Sequence, residues 1–258
     1  MAERPDVLVV EAEDLAAALG DGIADLLRSP GYALFFGGVY VLGGWVIWHA
    51  LTGQGAQGAA LWWSLPAAVG FPILGPFVAC GFYEISRRLD RGETYTARDI
   101  LGVIFRQKDR QIPSMAAVVV MVFLFWNFLA HMTFALFLGT ATLTNVTSSL
   151  SIFTTPEGMT MLIVGTLIGA GFSAALFSIT VVSLPMLLDR EVDFVTAMIT
   201  SVHVVRQSPV VMMGWGAFIA VCLLVSMLPW FLGLFVTLPL FGHASWHLYR
   251  RVISWESA

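Results

Sequence analysis

Six apolar runs free of Lys and Arg dominate this chain: Tyr32–Leu51, Leu61–Ser86, Met115–Gly139, Met159–Leu188, Val210–Leu228 and Phe231–Tyr249. A helix needs about 20 apolar residues to cross a bilayer, and in lipid a helix is one of the few structures that bonds all its own backbone groups. The last two runs are separated only by Pro229 and Trp230. Joined as one helix they would be about twice the length a bilayer requires, so they are expected to fold back as a hairpin. With 58% apolar and 12% charged residues, the sequence leaves no room for a soluble catalytic domain. The expected fold is an all-α membrane protein with six transmembrane helices in three hairpins, each preceded by a cytoplasmic amphipathic helix.

Charge placement gives the orientation. If six spans alternate, all 13 Lys and Arg residues fall on one side, and the opposite side carries only Glu157. Cytoplasmic loops are enriched in Lys and Arg whatever their carboxylate content, so both termini are expected in the cytoplasm. Five or seven spans would split the basic set. The N-terminus is acidic and lacks the basic start, apolar core and cleavage site of a secretory signal, so Met1 onward is expected to persist. A net charge of −4 argues against nucleic acid as a partner. Cys80 and Cys222 lie inside apolar runs and read as small core residues.

Comparison of the segments between spans reveals a three-fold repeat. Leu89-Asp90-Arg91, an amphipathic stretch, Arg106-Gln107 and Pro113 are echoed by Leu188-Asp189-Arg190, a second such stretch, Arg206-Gln207 and Pro209. The N-terminal segment repeats the ending, with an amphipathic stretch over Asp14–Leu27 followed by Arg28-Ser29-Pro30. Proline lacks an amide donor and suits the first turn of a new helix, so each join reads as a surface helix giving way to a span, with an Arg free to snorkel to headgroups. Ile100, Val103 and Ile104 share one face of the first such stretch; Val192, Phe194, Val195, Met198, Ile199 and Val202 form the stripe of the second. The organisation expected is a cytoplasmic N-terminal segment over 1–30 and a six-helix transmembrane domain over 31–258, with interfacial helices at about 96–110 and 191–206.

The polar residues inside or beside the spans are the candidate sites. Glu84 is expected to pair with Arg87 and Arg88 at i+3 and i+4, with a proton or substrate role as the alternative. His131 has Asn127 one turn earlier and His49 as a conceivable neighbour; a hydrogen bond across a helix interface is expected rather than haem or copper ligation. His243 and His247 have the i, i+4 spacing of a two-His metal clip, but no carboxylate or Cys nearby in sequence completes a shell, so interfacial anchoring with Trp246 and Tyr249 is expected. Asp189 and Arg190 belong to the repeated motif. Gly165, Gly169 and Ser173 suit close helix packing. Pro66, Gly70, Pro72, Gly75, Pro76 and Gly81 suggest a kinked second span, or one broken around a transport cavity. No phosphate loop, HExxH, CxxC or Ser-His-Asp arrangement is present, so no enzyme activity and no cofactor is expected, while bound lipids are compatible with the pattern.

The segments 81–92, 183–193 and 239–251 resemble a bacterial inner-membrane family, domain-of-unknown-function family 2189, whose members are often labelled cytochrome c oxidase subunits. The resemblance implies a fold and a bacterial inner-membrane location, without a reaction or assigned residues. The chain lacks the many membrane-embedded histidines of a catalytic oxidase subunit, so any oxidase connection it implies is accessory. The function expected is a non-catalytic inner-membrane protein that joins or helps assemble a larger membrane complex, or forms a homo-oligomer. The alternatives are a transporter or channel for a small neutral or amphiphilic solute and, third, lipid or envelope-stress scaffolding.

Overall fold

The computed structural model describes residues 5–52, 59–107, 109–139 and 154–255, with side chains over 5–49, 74–103, 105–107, 109–139 and 154–255. Among these residues ten helices and two short strands follow in order: β1 (Pro5–Val7), α1 (Ala12–Arg28), α2 (Pro30–Thr52), α3 (Ala59–Asp90), α4 (Ala97–Gln107), α5 (Ile112–Leu138), α6 (Pro156–Thr180), α7 (Ser183–Asp189), α8 (Phe194–Gln207), α9 (Pro209–Met227), α10 (Leu234–Val252) and β2 (Ile253–Trp255). The chain is an all-α membrane protein apart from the antiparallel β1–β2 ribbon, which pairs Asp6 with Ser254 and ties the two ends of the chain together. Among the described residues, four helical stretches are long and apolar enough to cross a membrane: Pro30–His49, Ile112–Leu138, Pro156–Asp189 and Pro209–Met227. Arg4, the segments 53–58 and 140–153 and Lys108 lie outside the described residues, as do the side chains of Pro66, Gly70, Pro72 and Ile104.

The three-fold repeat is visible in how the helices start. Each short amphipathic helix opens on a side chain that accepts an orphan backbone N–H. Asp14 accepts from Glu11 N at 3.0 Å, Asp99 from Thr96 N at 2.9 Å, and Asp193 from Thr196 N at 2.8 Å. Each ends at a proline-led long helix, with Pro30, Pro113 and Pro209 in the first turn. Unit one is α1–α3, unit two α4–α7 and unit three α8–α10.

The long helices of each unit lie side by side and antiparallel. Phe36 of α2 meets Phe82 of α3 at 5.2 Å between ring centroids, and Tyr40 lies near Gly75. Phe125 of α5 meets Phe172 of α6 at 6.1 Å; Trp215 and Phe218 of α9 meet Phe241 of α10 at 5.8 and 5.9 Å. The turn between α9 and α10 uses left-handed backbone at Trp230 and Phe231, and Gly233 N donates to Ser226 O at 3.1 Å. A Cβ on Gly233 would sit 2.7 Å from Ser226 Cα, so only glycine closes this turn.

Units join in a cycle, each leading with its amphipathic helix onto the closing helices of the unit before. Helix α4 packs on α3, α8 packs on α6 and α7, and α1 closes the ring on α10. The ends of α3, α7 and α10 meet at the centre of this basic end, where Cys80, Tyr83, Met186, Leu187, Trp246 and Leu248 form one buried core. Away from it the long helices are largely uncovered by protein.

Several sequence expectations change. The fourth span is two helices, α6 and α7, parted at Val181–Val182, where Val182 N donates to the buried Ser201 Oγ at 3.2 Å. Helix α3 is continuous from Ala59 to Asp90 through Pro66, Pro72 and Pro76, so the second span is not broken. The amphipathic helices bury a face in protein: Ile100 and Val103 of α4 are buried against neighbouring helices. In α8 the buried face is Ala197, Ser201, Val204 and Val205, while Val195 and Ile199 of the expected stripe are exposed.

Candidate functional site

A buried polar cluster lies where α1, α3 and α10 meet, and each helix contributes one i, i+4 pair. Helix α1 and its C-cap supply Asp25 and Ser29, α3 supplies Ser86 and Asp90, and α10 supplies His243 and His247. A spacing of four residues stacks two side chains on one helical face, so three such pairs produce two layers. In one layer His243 Nδ1 lies 2.8 Å from Ser86 Oγ and Nε2 lies 3.5 Å from Ser29 Oγ. Ser29 Oγ also donates to Asp25 O at 2.8 Å. In the other layer His247 Nε2 lies 2.7 Å from Asp25 Oδ2, and Nδ1 lies 3.8 Å from Asp90 Oδ1. Trp246 Nε1 donates to Asp90 Oδ2 at 2.8 Å.

Close helix approach makes these layers reachable. Gly22 of α1 lies so near α10 that an added Cβ would stand 2.9 Å from Ala244 N, and Ala18 is fully buried one turn away. Small residues on both helices bring the backbones together and let the flanking Asp25 and His247 bond. Burial pushes the Asp25 carboxyl up, but hydrogen bonds from His247 and Ser86 and the nearby imidazoles outweigh it, holding Asp25 below the ordinary aspartate value of 3.8.

Asp189, at the end of α7, is a second focus. Its carboxylate accepts from Tyr249 OH at 2.9 Å and is approached by Arg91, Arg190 and Arg250 at 3.8–3.9 Å, one from the closing end of each unit. Arg190 also lies over the Trp255 ring at 5.0 Å, and Trp255 Nε1 donates to Tyr249 OH at 3.2 Å. Asp189 thus gathers the closing arginines of the three units, two of them from the repeated Asp-Arg motif.

The other expected residues fall outside this hub. Glu84 is completely buried and pairs with both Arg87 and Arg88, the latter at 2.8 Å; Arg88 reaches on to Asp99 of α4 at 3.8 Å. His131 is exposed on α5, and its Nδ1 lies 2.8 Å from the carbonyl of Asn127 in the same helix, not across an interface. The intrahelical carbonyl is one turn away and wins over any neighbour. His243 and His247 do not anchor at an interface. They are buried with Trp246 and Tyr249, because α10 is enclosed by α1, α2, α3 and α7 at this end. The sequence analysis missed Asp25, Ser29, Ser86 and Asp90 as partners; the matching i, i+4 spacings on three helices were the available signal.

The two nitrogens of His247 face different carboxylates, so these groups do not converge on one point. Among the described residues no group of three or more His, Cys, Asp or Glu side chains could hold a metal ion. What the layers supply is a hydrogen-bonded clasp that joins the first, second and last parts of the chain.

A comparison with known families fits this architecture. The matching family model is described as a predicted integral membrane protein (DUF2189). Residues 64–189 carry the DUF2189 family domain. That stretch holds α3 from within its first turns, Ser86, Asp90, the Glu84 ion pairs, and all of unit two down to Asp189. Asp25, His243 and His247 lie outside the matched DUF2189 stretch, on the units that close the ring. No curated protein and no solved structure matches the chain.

Proposed function

We propose that the chain is a six-span, non-enzymatic protein of the bacterial inner membrane, with its basic hub in the cytoplasm, that packs against another membrane-protein chain. Three antiparallel helix pairs, each led by an amphipathic helix, account for the six crossings, and one-sided Lys and Arg support the orientation.

The observation that carries the partner reading is α6. From Leu162 to Thr180 none of its residues is buried, although α5 lies alongside. Thr166, Ala170 and Ser173 occupy one exposed face at i, i+4 and i+7. Lipid tails pack as well against Leu as against any residue, whereas small and hydroxyl side chains favour close approach of another helix. A respiratory oxidase is the first partner to test, on the strength of the label attached to similar proteins. The transporter alternative draws no support from α3, which is unbroken.

The test is mild detergent extraction from native membranes, followed by native gels and mass spectrometry. A co-migrating membrane subunit is expected with the wild-type chain and should be lost when Thr166, Ala170 and Ser173 are all changed to Leu. Migration of the wild type as a free monomer would contradict the proposal.

A further inference from the structure

We propose that the groove between α8 and the end of α6 binds an anionic phospholipid, its phosphate at Arg206 and an acyl chain along the apolar floor. The groove has a volume of about 790 Å³ and is lined by Ile179, Met198, Ile199 and Val202 at one end and by His203 and Arg206 at the other. That volume lies within the range of roughly 300–1,000 Å³ typical of small-molecule sites. Gln207 also lines it, and among the described residues no carboxylate does.

Arg206 is exposed and, among the described residues, forms no ion pair or hydrogen bond, although most of the other arginines at this end are paired. A guanidinium left without a carboxylate beside an apolar trough is complementary to a phosphate that carries a hydrocarbon tail. Position agrees with chemistry. Arg206 precedes Pro209, which opens the candidate span α9, and Ile179 lies one residue before the end of α6. The groove therefore lies at the level where α6 ends and α9 begins, with Arg206 beside the start of α9 and Ile179 at the end of α6. Basic pockets between membrane helices at this level are favourable for anionic headgroups. Ile199, 65% exposed, completes a floor that protein does not cover.

The inference rests on membrane embedding and not on the partner contact proposed for α6, so the two fail separately. The full-length chain, purified in detergent, is titrated with dioleoyl phosphatidylglycerol or dioleoyl phosphatidylcholine and read by native mass spectrometry. Wild type is expected to retain the anionic lipid about fivefold better than the neutral one, the preference expected from one guanidinium near an anionic surface. Arg206→Gln and the groove-filling Ile199→Trp should each abolish that preference, whereas Arg110→Gln, at an arginine paired with Glu191 outside this groove, should leave it intact. Excess inorganic phosphate should not displace the lipid, because it cannot occupy the apolar end. Equal retention of both lipids, an unaltered preference in Arg206→Gln, or displacement by phosphate alone would overturn the proposal.

Discussion

At the residue scale, the two buried histidines are set apart by their partners. His247 holds Asp25, whose carboxylate would otherwise be buried without a counter-group. Removing the partner of a buried carboxylate leaves that charge uncompensated, which costs more than neutralising the carboxylate itself. His247→Ala is therefore expected to cost about 3 kcal/mol and Asp25→Asn clearly less, compared by thermal unfolding in one detergent. The pH dependence has a definite sign. The folded Asp25 carboxyl titrates below its unfolded value, so its stabilisation is fully present above the unfolded value and is lost as pH falls through the lowered folded one. The stability gap between wild type and Asp25→Asn should accordingly shrink as pH falls below about 4. The histidine pair stands out in the sequence, yet its partners lie more than 150 residues away in the chain. Spacing on one helix says nothing about which distant helix supplies the acceptor, so from sequence alone the pair fits interfacial anchoring.

At the scale of elements, periodicity identified the amphipathic helices but not what their apolar faces meet. Ile100 and Val103 turn into protein, while Val195 and Ile199 turn away from it. Both surroundings are apolar near a membrane, and a hydrophobic stripe fits either. What fixes α1 is glycine rather than the stripe. Gly22 abuts the α10 backbone at Ala244, whereas a Cβ on Gly20 meets nothing within 4 Å. Two substitutions two residues apart should therefore act oppositely. Gly20→Ala gains helix propensity and should stabilise by up to about 1 kcal/mol. Gly22→Ala should destabilise by about 1–3 kcal/mol through overpacking against backbone and raise protease cleavage within α1. If both behave alike, α1 does not pack on α10 as described.

At the scale of the whole molecule, the cyclic arrangement explains why polar chemistry gathers at one end. Each amphipathic helix covers the close of the preceding unit, and an arginine from the close of each unit, Arg91, Arg190 and Arg250, approaches Asp189. The order of the repeat is legible because Arg and Pro recur at similar spacing around each amphipathic stretch. Its closure is not, since contact between α1 and α10 joins opposite ends of the chain. The claim underlying this account is that the hub lies on one side of the bilayer and the α9–α10 turn on the other. Cysteine labelling in intact cells tests it directly, using a chain with Cys80 and Cys222 replaced and one new thiol at Arg98 or at Trp230, both exposed. A membrane-impermeant maleimide should label Trp230→Cys from outside and Arg98→Cys only after permeabilisation; labelling of Arg98→Cys in intact cells, or of both positions from the same side, would contradict it.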